Sequence, residues 1–115
     1  MNILVTGGAG FIGSHLVEIL INKGHDVTVL DSLIFGRKQN LSAVAGKPNL
    51  SFIGGDCRSP RDVGKALKGV ETVFHFAASS DICLDNADPK QCYEQNIMST
   101  YTLLEGVRRS KVKNV

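Results

Sequence analysis

Hydrophobic and polar positions alternate between two patterns from the first residues of the chain. A short apolar run, Ile3 to Val5, leads into a cluster of glycines, and residues 11–23 then carry apolar side chains at helical spacing. The apolar residues expected on the buried face of that helix are Ile12, Leu16, Ile19 and Leu20. Gly24 stands where a glycine commonly ends a helix. The opening of the chain therefore predicts a strand, a tight glycine turn and a helix.

The same alternation continues along the chain. A short helix is predicted over residues 39–45, and longer helices follow Ser59-Pro60 and Asp88-Pro89, because Ser or Asp can cap a helix and proline suits its first turn. Further strands are predicted over residues 26–30, 51–53 and 72–76, with the start of a fifth at 113–115. This order predicts a doubly wound parallel α/β sheet with strands three, two, one and four side by side.

The glycine turn after the first strand carries the most chemical information. Gly7, Gly10 and Gly13 have the spacing G-x-x-G-x-x-G. Gly7 permits a sharp exit from the strand, Gly10 lets the backbone approach a pyrophosphate, and Gly13 lets the helix pack closely on the strand. The first amides of the helix, including those of Phe11 and Ile12, would point at the anion. A P-loop is excluded, because no Gly-Lys-Ser/Thr sequence closes the motif.

Asp31 follows at the end of the second strand, where an acidic side chain accepts hydrogen bonds from an adenosine ribose. A carboxylate there repels a 2′-phosphate, so the sequence predicts NAD as the cofactor. Arg37 and Lys38 keep NADP open as the alternative, because a basic residue near this position can bind that phosphate.

Composition narrows the class of protein. The chain has 115 residues, enough for one domain, and its 13 basic and 11 acidic residues lack the basic excess of a nucleic-acid-binding protein. No apolar run is long enough for a membrane helix. Cys57, Cys83 and Cys92 include no Cys-x-x-Cys pair, which predicts free thiols, a cytoplasmic location and no zinc site.

Residues 6–16 (Thr-Gly-Gly-Ala-Gly-Phe-Ile-Gly-Ser-His-Leu) resemble the start of an extended short-chain dehydrogenase/reductase of the NAD-dependent epimerase/dehydratase family, which has a Rossmann fold. The loop after the second strand is similar to that of UDP-glucose 4-epimerases, with Leu30 to Leu33, Gly36-Arg37 and Asn40-Leu41. Further segments that resemble the family are Gly55-Asp56-Cys57-Arg58, His75-Phe76-Ala77-Ala78, and Asn96 with Ser99-Thr100, in which Ser99 departs from the family's glycine. The resemblance covers the whole chain.

The resemblance implies that these segments hold successive parts of NAD. The implied contacts are Gly7, Gly10, Phe11, Ile12 and Gly13 for the pyrophosphate, Asp31, Ser32 and the loop to Gly36 for the adenosine ribose, Asp56 and Cys57 for adenine, and Phe76, Ala77, Ala78 and Ser80 for the path towards the nicotinamide. Asn96 is implied to brace the loops around the cofactor.

The resemblance also implies an activity for the intact protein. A 4-epimerase oxidises C4 of a nucleotide sugar with bound NAD and then returns the hydride to the other face. A 4,6-dehydratase, which begins with the same oxidation, and a non-catalytic dinucleotide-binding module are the alternatives. The family's Tyr-x-x-x-Lys pair is missing, since Ile97 and Glu105 follow Tyr93 and Tyr101 at that spacing. We therefore expect residues 1–115 to be the N-terminal part of a Rossmann domain, inactive alone, without the catalytic segment and substrate lobe.

Three other features carry predictions. His75, inside an apolar strand, is expected to be a hydrogen-bonded core histidine. The loop with Asp81 and Asp85 is expected to be solvated, with a sugar-contacting role for Ser79, Ser80 or Asp81 as the alternative. The last helix carries an apolar stripe expected in the core or, in part, on the surface of the homodimer that the family commonly forms. Its members are Tyr93, Ile97, Tyr101 and Leu104.

Overall fold

A four-stranded parallel sheet forms the centre of the structure, a computed structural model that describes residues 1–81 and 86–115. The strands are β1 (Asn2–Thr6), β2 (Asp26–Asp31), β3 (Leu50–Gly54) and β4 (Thr72–His75). They lie in the order β3-β2-β1-β4, which confirms the predicted doubly wound topology. Asn114, within the predicted start of a fifth strand, forms a parallel bridge to Thr72 on the side of β4 away from β1. Cys83 and Asp85 lie outside the described residues.

The helical segments follow the predicted start and stop signals. They are α1 (Phe11–Asn22), a 3-10 helix (Lys38–Val44), α2 (Pro60–Ala66), α3 (Pro89–Tyr93), a π-helical turn (Glu94–Met98) and α4 (Ser99–Arg108). Ser59 and Asp88 cap α2 and α3, each accepting a hydrogen bond from the backbone three residues on. Gly24, at φ 82°, ends α1 in a Schellman motif. No helix in the described part of the chain is long and apolar enough to cross a membrane.

Each face of the sheet has its own hydrophobic core, because side chains alternate between the faces along each strand. Ile3 and Val5 pack with α1 and the 3-10 helix on one face. Leu4 and Leu30 pack with α2 and α4 on the other. The strands therefore appear in the sequence as continuous apolar runs, which is typical of a parallel sheet covered on both faces.

The buried face of α1 agrees with the prediction only in part, since Leu20 is buried and Leu16 packs against the core. Val17, Leu20 and Ile21 are buried, whereas Ile12 and Ile19 are exposed. The reason is that Gly13, which lies against the preceding turn, sets the rotation of the helix. The residues that share its face are those three, four and seven positions along, which include Val17 and Leu20.

The apolar stripe of α3 and α4 also differs from the prediction of a core position. Its four residues, Tyr93, Ile97, Tyr101 and Leu104, are all exposed, between 48% and 60%. The inward face of α4 is formed instead by Ser99, Leu103 and Val107 at four-residue spacing, with Ser99 and Leu103 buried. Since Ser99 is polar, the sequence pattern does not reveal this face. The stripe is a surface of the described structure.

Leu103 and Leu104 offer a matched test of this packing. Leu103 is fully buried between α4 and the sheet, whereas Leu104 is 48% exposed. We expect Leu103→Ala to lower the free energy of unfolding by about 2–5 kcal/mol, because it removes buried methyl groups and leaves a cavity. Leu104→Ala should change it by less than about 0.5 kcal/mol in a monomer. Urea denaturation of both variants checks this, and equal losses would contradict the assigned inward face.

Candidate functional site

The turn between β1 and α1 and the first turn of α1 have no room for a side chain at three glycines, Gly7, Gly8 and Gly13. Gly7 has φ 67°, and a Cβ there would lie 2.7 Å from the backbone nitrogen of Ala77. A Cβ at Gly13 would lie 2.3 Å from the carbonyl oxygen of Gly7. The close packing predicted for Gly13 is therefore made against the turn itself. Gly8, which the sequence pattern did not single out, supplies the contact with β2, where a Cβ would meet the Val29 side chain at 2.8 Å.

The start of α1 is suited to an anion. Gly10 is the N-cap, and the structure of the described residues shows neither a side-chain cap nor an acidic residue in the first turn. The first bond back into the helix joins Ser14 N to Gly10 O at 3.1 Å, so the amides of Phe11, Ile12 and Gly13 have no partner within the helix. These N–H groups and the helix dipole favour a negative charge. The side chains of Phe11 and Ile12 are exposed, so their contribution to such a site would come from the backbone.

Asp31 joins this turn to the loop after β2. Asp31 is 7% exposed, and its carboxylate oxygens accept hydrogen bonds from Ala9 N at 2.9 Å and Leu33 N at 2.8 Å. A Cβ at Gly36 would lie 2.8 Å from that carboxylate, so glycine is required where the loop closes over it. A carboxylate offers about four accepting positions, so the oxygens can still accept from ligand hydroxyls.

The loop after β2 is held in a defined shape. Leu33 has φ 61°, a conformation that bulky residues rarely adopt and that often marks functional sites. Two donors, Arg37 N at 3.0 Å and Asn40 Nδ2 at 2.8 Å, bond to Ala9 O and fasten the loop to the glycine turn. Lys38 places its ammonium 4.8 Å from the centre of the Phe52 ring. The basic side chains of Arg37 and Lys38 are not among the residues that line the cleft.

The segment after β3 presents a carboxylate and a thiol. Asp56 forms an ion pair with Arg58, whose Nη2 lies 2.6 Å from Oδ2, and this hydrogen bond holds the pKa of Asp56 below its ordinary value. Arg58 also reaches Glu94 of the π-helical turn at 3.4 Å. Burial raises the pKa of Cys57 to about 12, so its thiol stays protonated and unreactive near neutral pH. Asp56 is therefore an acceptor that is already shared with Arg58.

The glycine turn, the loop after β2 and the segments after β3 and β4 line one cleft at the carboxyl ends of the strands. The predicted residues that line it are Gly7, Gly10, Asp31, Ser32, Gly36, Asp56, Cys57, Phe76, Ala77 and Ala78. The predicted residues Phe11, Ile12, Gly13, Ser80 and Asn96 do not line it. Phe35, which also lines it, belongs to the loop to Gly36 that was predicted to hold the ribose. The lining residues that were not named as contacts are Leu30, Gly55, Gln95 and Ser99. Gln95 precedes the predicted Asn96 by one position, which is the only sequence signal that pointed to it.

Asn96 fixes the loop after β4, although its side chain is not part of the cleft lining. Its Oδ1 accepts from Ser79 N at 2.7 Å, and its Nδ2 donates to Ser79 O at 3.0 Å. Ser79 is buried, whereas Ser80 and Asp81 are exposed. His75 is partly buried, and both of its ring nitrogens have hydroxyl partners, which confirms the prediction of a hydrogen-bonded core histidine.

The strand order and the glycine turn together define the class of fold to which the structure belongs. In a doubly wound sheet, ligands bind at the carboxyl ends of the strands where the strand order reverses, and here the reversal lies between β1 and β4. A glycine turn leaves β1 at that point, and an acidic residue ends β2 beside it. The structure therefore has a Rossmann fold of the dinucleotide-binding type. The chain belongs to the NAD dependent epimerase/dehydratase family, whose family model matches residues 3–115.

Proteins of two activities are similar to the chain. It is 38% identical to a dTDP-glucose 4,6-dehydratase of Mycolicibacterium smegmatis, with 98% of the chain and 34% of the relative covered. It is 40% identical to a UDP-glucose 4-epimerase of Halalkalibacterium halodurans, with 100% of the chain and 33% of the relative covered. The dTDP-glucose 4,6-dehydratase DesIV of Streptomyces venezuelae, solved with NAD bound, superposes with a TM-score of 0.92 at 39% identity, over 97% of this chain and 37% of that one. The chain spans about a third of the length of these proteins.

Gly13 and Gly64 provide a matched pair of helical glycines. We expect Gly13→Ala to lower the free energy of unfolding by about 1–3 kcal/mol or more, because the new Cβ would meet backbone atoms that cannot move aside. No atom lies within 4 Å of a Cβ at Gly64, so Gly64→Ala in α2 should raise stability by about 0.5–1 kcal/mol. Chemical denaturation measures both. A tolerated Gly13→Ala would contradict the turn geometry.

The protonation of His75 should make stability depend on pH. Burial holds the pKa of His75 below the ordinary value of 6.5. The unfolded chain therefore takes up the proton first, and the free energy of unfolding should fall as the pH drops below 6.5 towards the folded-state pKa. Denaturation curves at neutral and mildly acidic pH measure the loss. His75→Gln, which cannot titrate, should lose less stability over the same interval, and an equal loss in both proteins would show that His75 is not the source.

Proposed function

We propose that this chain binds NAD in the cleft described above, as the N-terminal part of an NAD-dependent enzyme acting on nucleotide sugars. The observation that carries the proposal is the joint placement of Asp31 and the start of α1. A buried carboxylate that accepts hydrogen bonds and an uncapped helix start that attracts an anion lie on either side of the same glycine turn. A ribose and a pyrophosphate present those two chemistries side by side.

The pyrophosphate is proposed to lie over the turn. Gly7 and Gly10 line the cleft there, and the amides of Phe11, Ile12 and Gly13 are the donors that the helix leaves without partners. The first turn of α1, among the residues described, contains no acidic residue, and the exposed side chains of Phe11 and Ile12 are uncharged.

The adenosine ribose is proposed to bind at Asp31, with Ser32 and Gly36 at the edge of the cleft. NAD is favoured over NADP because the Asp31 carboxylate is fixed by two backbone donors and cannot turn away from a 2′-phosphate. The basic groups that would compensate are placed elsewhere, since Arg37 does not line the cleft and Lys38 lies over Phe52.

Adenine is proposed to lie against Asp56 and Cys57, and the nicotinamide half towards Phe76, Ala77 and Ala78. The ion pair with Arg58 keeps the Asp56 carboxylate charged, so it can accept a further hydrogen bond from an amino group. Ser80 is exposed outside the cleft lining, which weakens its proposed contact. Asn96 is proposed to act through the backbone of Ser79, as its two hydrogen bonds support.

When bound, NAD would accept a hydride from C4 of the sugar. The chain's own residues would hold and orient the cofactor for that step. We propose a 4-epimerase, because the loop after β2 resembles that branch. A 4,6-dehydratase is the second candidate, favoured by the similarity to DesIV, and it shares the first oxidation. The catalytic Tyr-x-x-x-Lys pair and the substrate lobe would belong to the remaining two thirds that the relatives have beyond this match.

The exposed stripe of Tyr93, Ile97, Tyr101 and Leu104 is proposed to pair with a second copy in the intact protein. An apolar helix face of this kind is typical of interaction surfaces. The cytoplasmic location stays a prediction that rests on the cysteine pattern.

Asp31 and Asp26 stand at opposite ends of β2 and give a matched test of NAD binding. We expect Asp31→Asn to lower the affinity for NAD at least tenfold, because the charged acceptor of the ribose hydroxyls is lost. A hydrogen bond to a charged group contributes about 1.5–3 kcal/mol. Asp26→Asn, at the exposed start of the same strand, should leave binding unchanged. Isothermal titration calorimetry with NAD and NADP measures both effects.

The two cofactors separate the possible results. Binding of NAD well above NADP, lost in Asp31→Asn and kept in Asp26→Asn, supports the site. Tighter binding of NADP would overturn the assignment of the ribose acid. No binding of either dinucleotide by the folded protein would overturn the proposed function.

A further inference from the structure

A line of hydrogen-bonding groups crosses the sheet and α4 behind the cleft. Thr6 Oγ1 lies 2.6 Å from His75 Nδ1, and His75 Nε2 lies 2.9 Å from Thr100 Oγ1. Thr6 Oγ1 also accepts from Ala77 N at 3.3 Å, and Thr100 Oγ1 donates to Asn96 O at 2.7 Å. These five residues belong to β1, β4, the loop after β4, the π-helical turn and α4.

The Ala77 amide at one end of the line can only donate, and the Asn96 carbonyl at the other end can only accept. These two groups determine the direction of the hydrogen bonds between them. A carbonyl oxygen only accepts, so the single hydrogen of the Thr100 hydroxyl points to Asn96 O, and Thr100 must accept from His75 Nε2–H. An imidazole that is neutral then has a lone pair at Nδ1, to which the Thr6 hydroxyl donates. Thr6 is left to accept from the Ala77 amide. All four hydrogen bonds therefore run in one direction, from Ala77 to Asn96.

This line connects the walls of the cleft to one another. Thr6 directly precedes Gly7, whose missing Cβ allows contact with Ala77 N. Gly7 and Ala77 both line the cleft. At the other end, Asn96 holds the backbone of Ser79 by two hydrogen bonds. His75 does not line the cleft, so any effect it has on a ligand passes through these partners.

We propose that His75, as the neutral Nε2–H tautomer, is a positioning residue of the cofactor cleft. It fixes the distance between the glycine turn and the loop after β4 through Thr6 on one side and Thr100 on the other. A neutral imidazole has one donor and one acceptor on the two sides of its ring. A charged imidazole has two donors and no acceptor, and an aliphatic side chain has neither. The effect on NAD rests on the proposed function, whereas the tautomer is a property of the chain itself.

Thr100 allows a test that leaves the imidazole in place. Thr100→Val keeps the shape of the side chain and removes the acceptor, whereas Thr100→Ser keeps the hydroxyl. In the whole protein labelled with ¹⁵N-histidine, long-range ¹H–¹⁵N spectra should show the Nε2–H tautomer for His75. Calorimetry should show NAD affinity reduced about threefold to tenfold in Thr100→Val, the scale of one hydrogen bond, and restored in Thr100→Ser.

Leu103→Ala is the control for a purely structural effect, because it destabilises the same helix without removing a donor or an acceptor from the line of hydrogen bonds. Its folded form should bind NAD as the unsubstituted protein does. An Nδ1–H tautomer, unchanged affinity in Thr100→Val, or an equal loss in Leu103→Ala would overturn the positioning role. Absence of NAD binding in the unsubstituted protein would overturn the proposed function instead, and with it the role of His75 for the cofactor.

Discussion

The close approach of three backbone segments at the carboxyl end of β1 is the constraint on which the rest of the structure depends. The turn after β1 lies against the loop after β4 at Gly7 and against α1 at Gly13, with no space for a Cβ at either position. Because β1 lies between β2 and β4, this contact point is also where the strand order reverses. The rotation of α1, and hence the choice of Val17 over Ile19 for the core, follows from it.

Hydrogen bonds from polar side chains hold the segments around the glycine turn together. Asp31 ties the turn to the loop after β2, Asn96 ties the loop after β4 to the π-helical turn, and His75 joins the two regions. Each of these groups would be costly to bury alone, since an unpaired buried polar group costs about 1–3 kcal/mol. In the part of the chain that the structure describes, no buried side-chain nitrogen or oxygen lacks a hydrogen-bond partner. The cleft is therefore shaped by hydrogen bonds that stability alone already requires.

The sequence predicted those features whose cause is local. The glycine turn, the Ser59 and Asp88 caps and the order of strands depend on residues close together in the chain or on general rules of chain crossing, and the structure confirms them. The buried faces of α1 and α4 could not be predicted, because they depend on how each helix is rotated against the sheet. Gln95 was not predicted for the same reason, because only the folded chain brings it to the cleft. The contacts proposed for NAD stay predictions.

The hydrogen bonds and pKa shifts of the titratable groups in and around the cleft bear on whether these groups can act as a general base. Asp31 is engaged by two backbone amides, Asp56 by Arg58, and His75 by two hydroxyls. Cys57 has a pKa of about 12 and keeps its proton. A general base needs a free acceptor whose pKa lies near the working pH. His75 has no free ring nitrogen, the pKa of Asp56 is held below its ordinary value by Arg58, and the pKa of Cys57 lies far above neutral. These three groups shape the cleft through their hydrogen bonds and burial, so under the proposed function the base for a proton transfer would have to be a different residue.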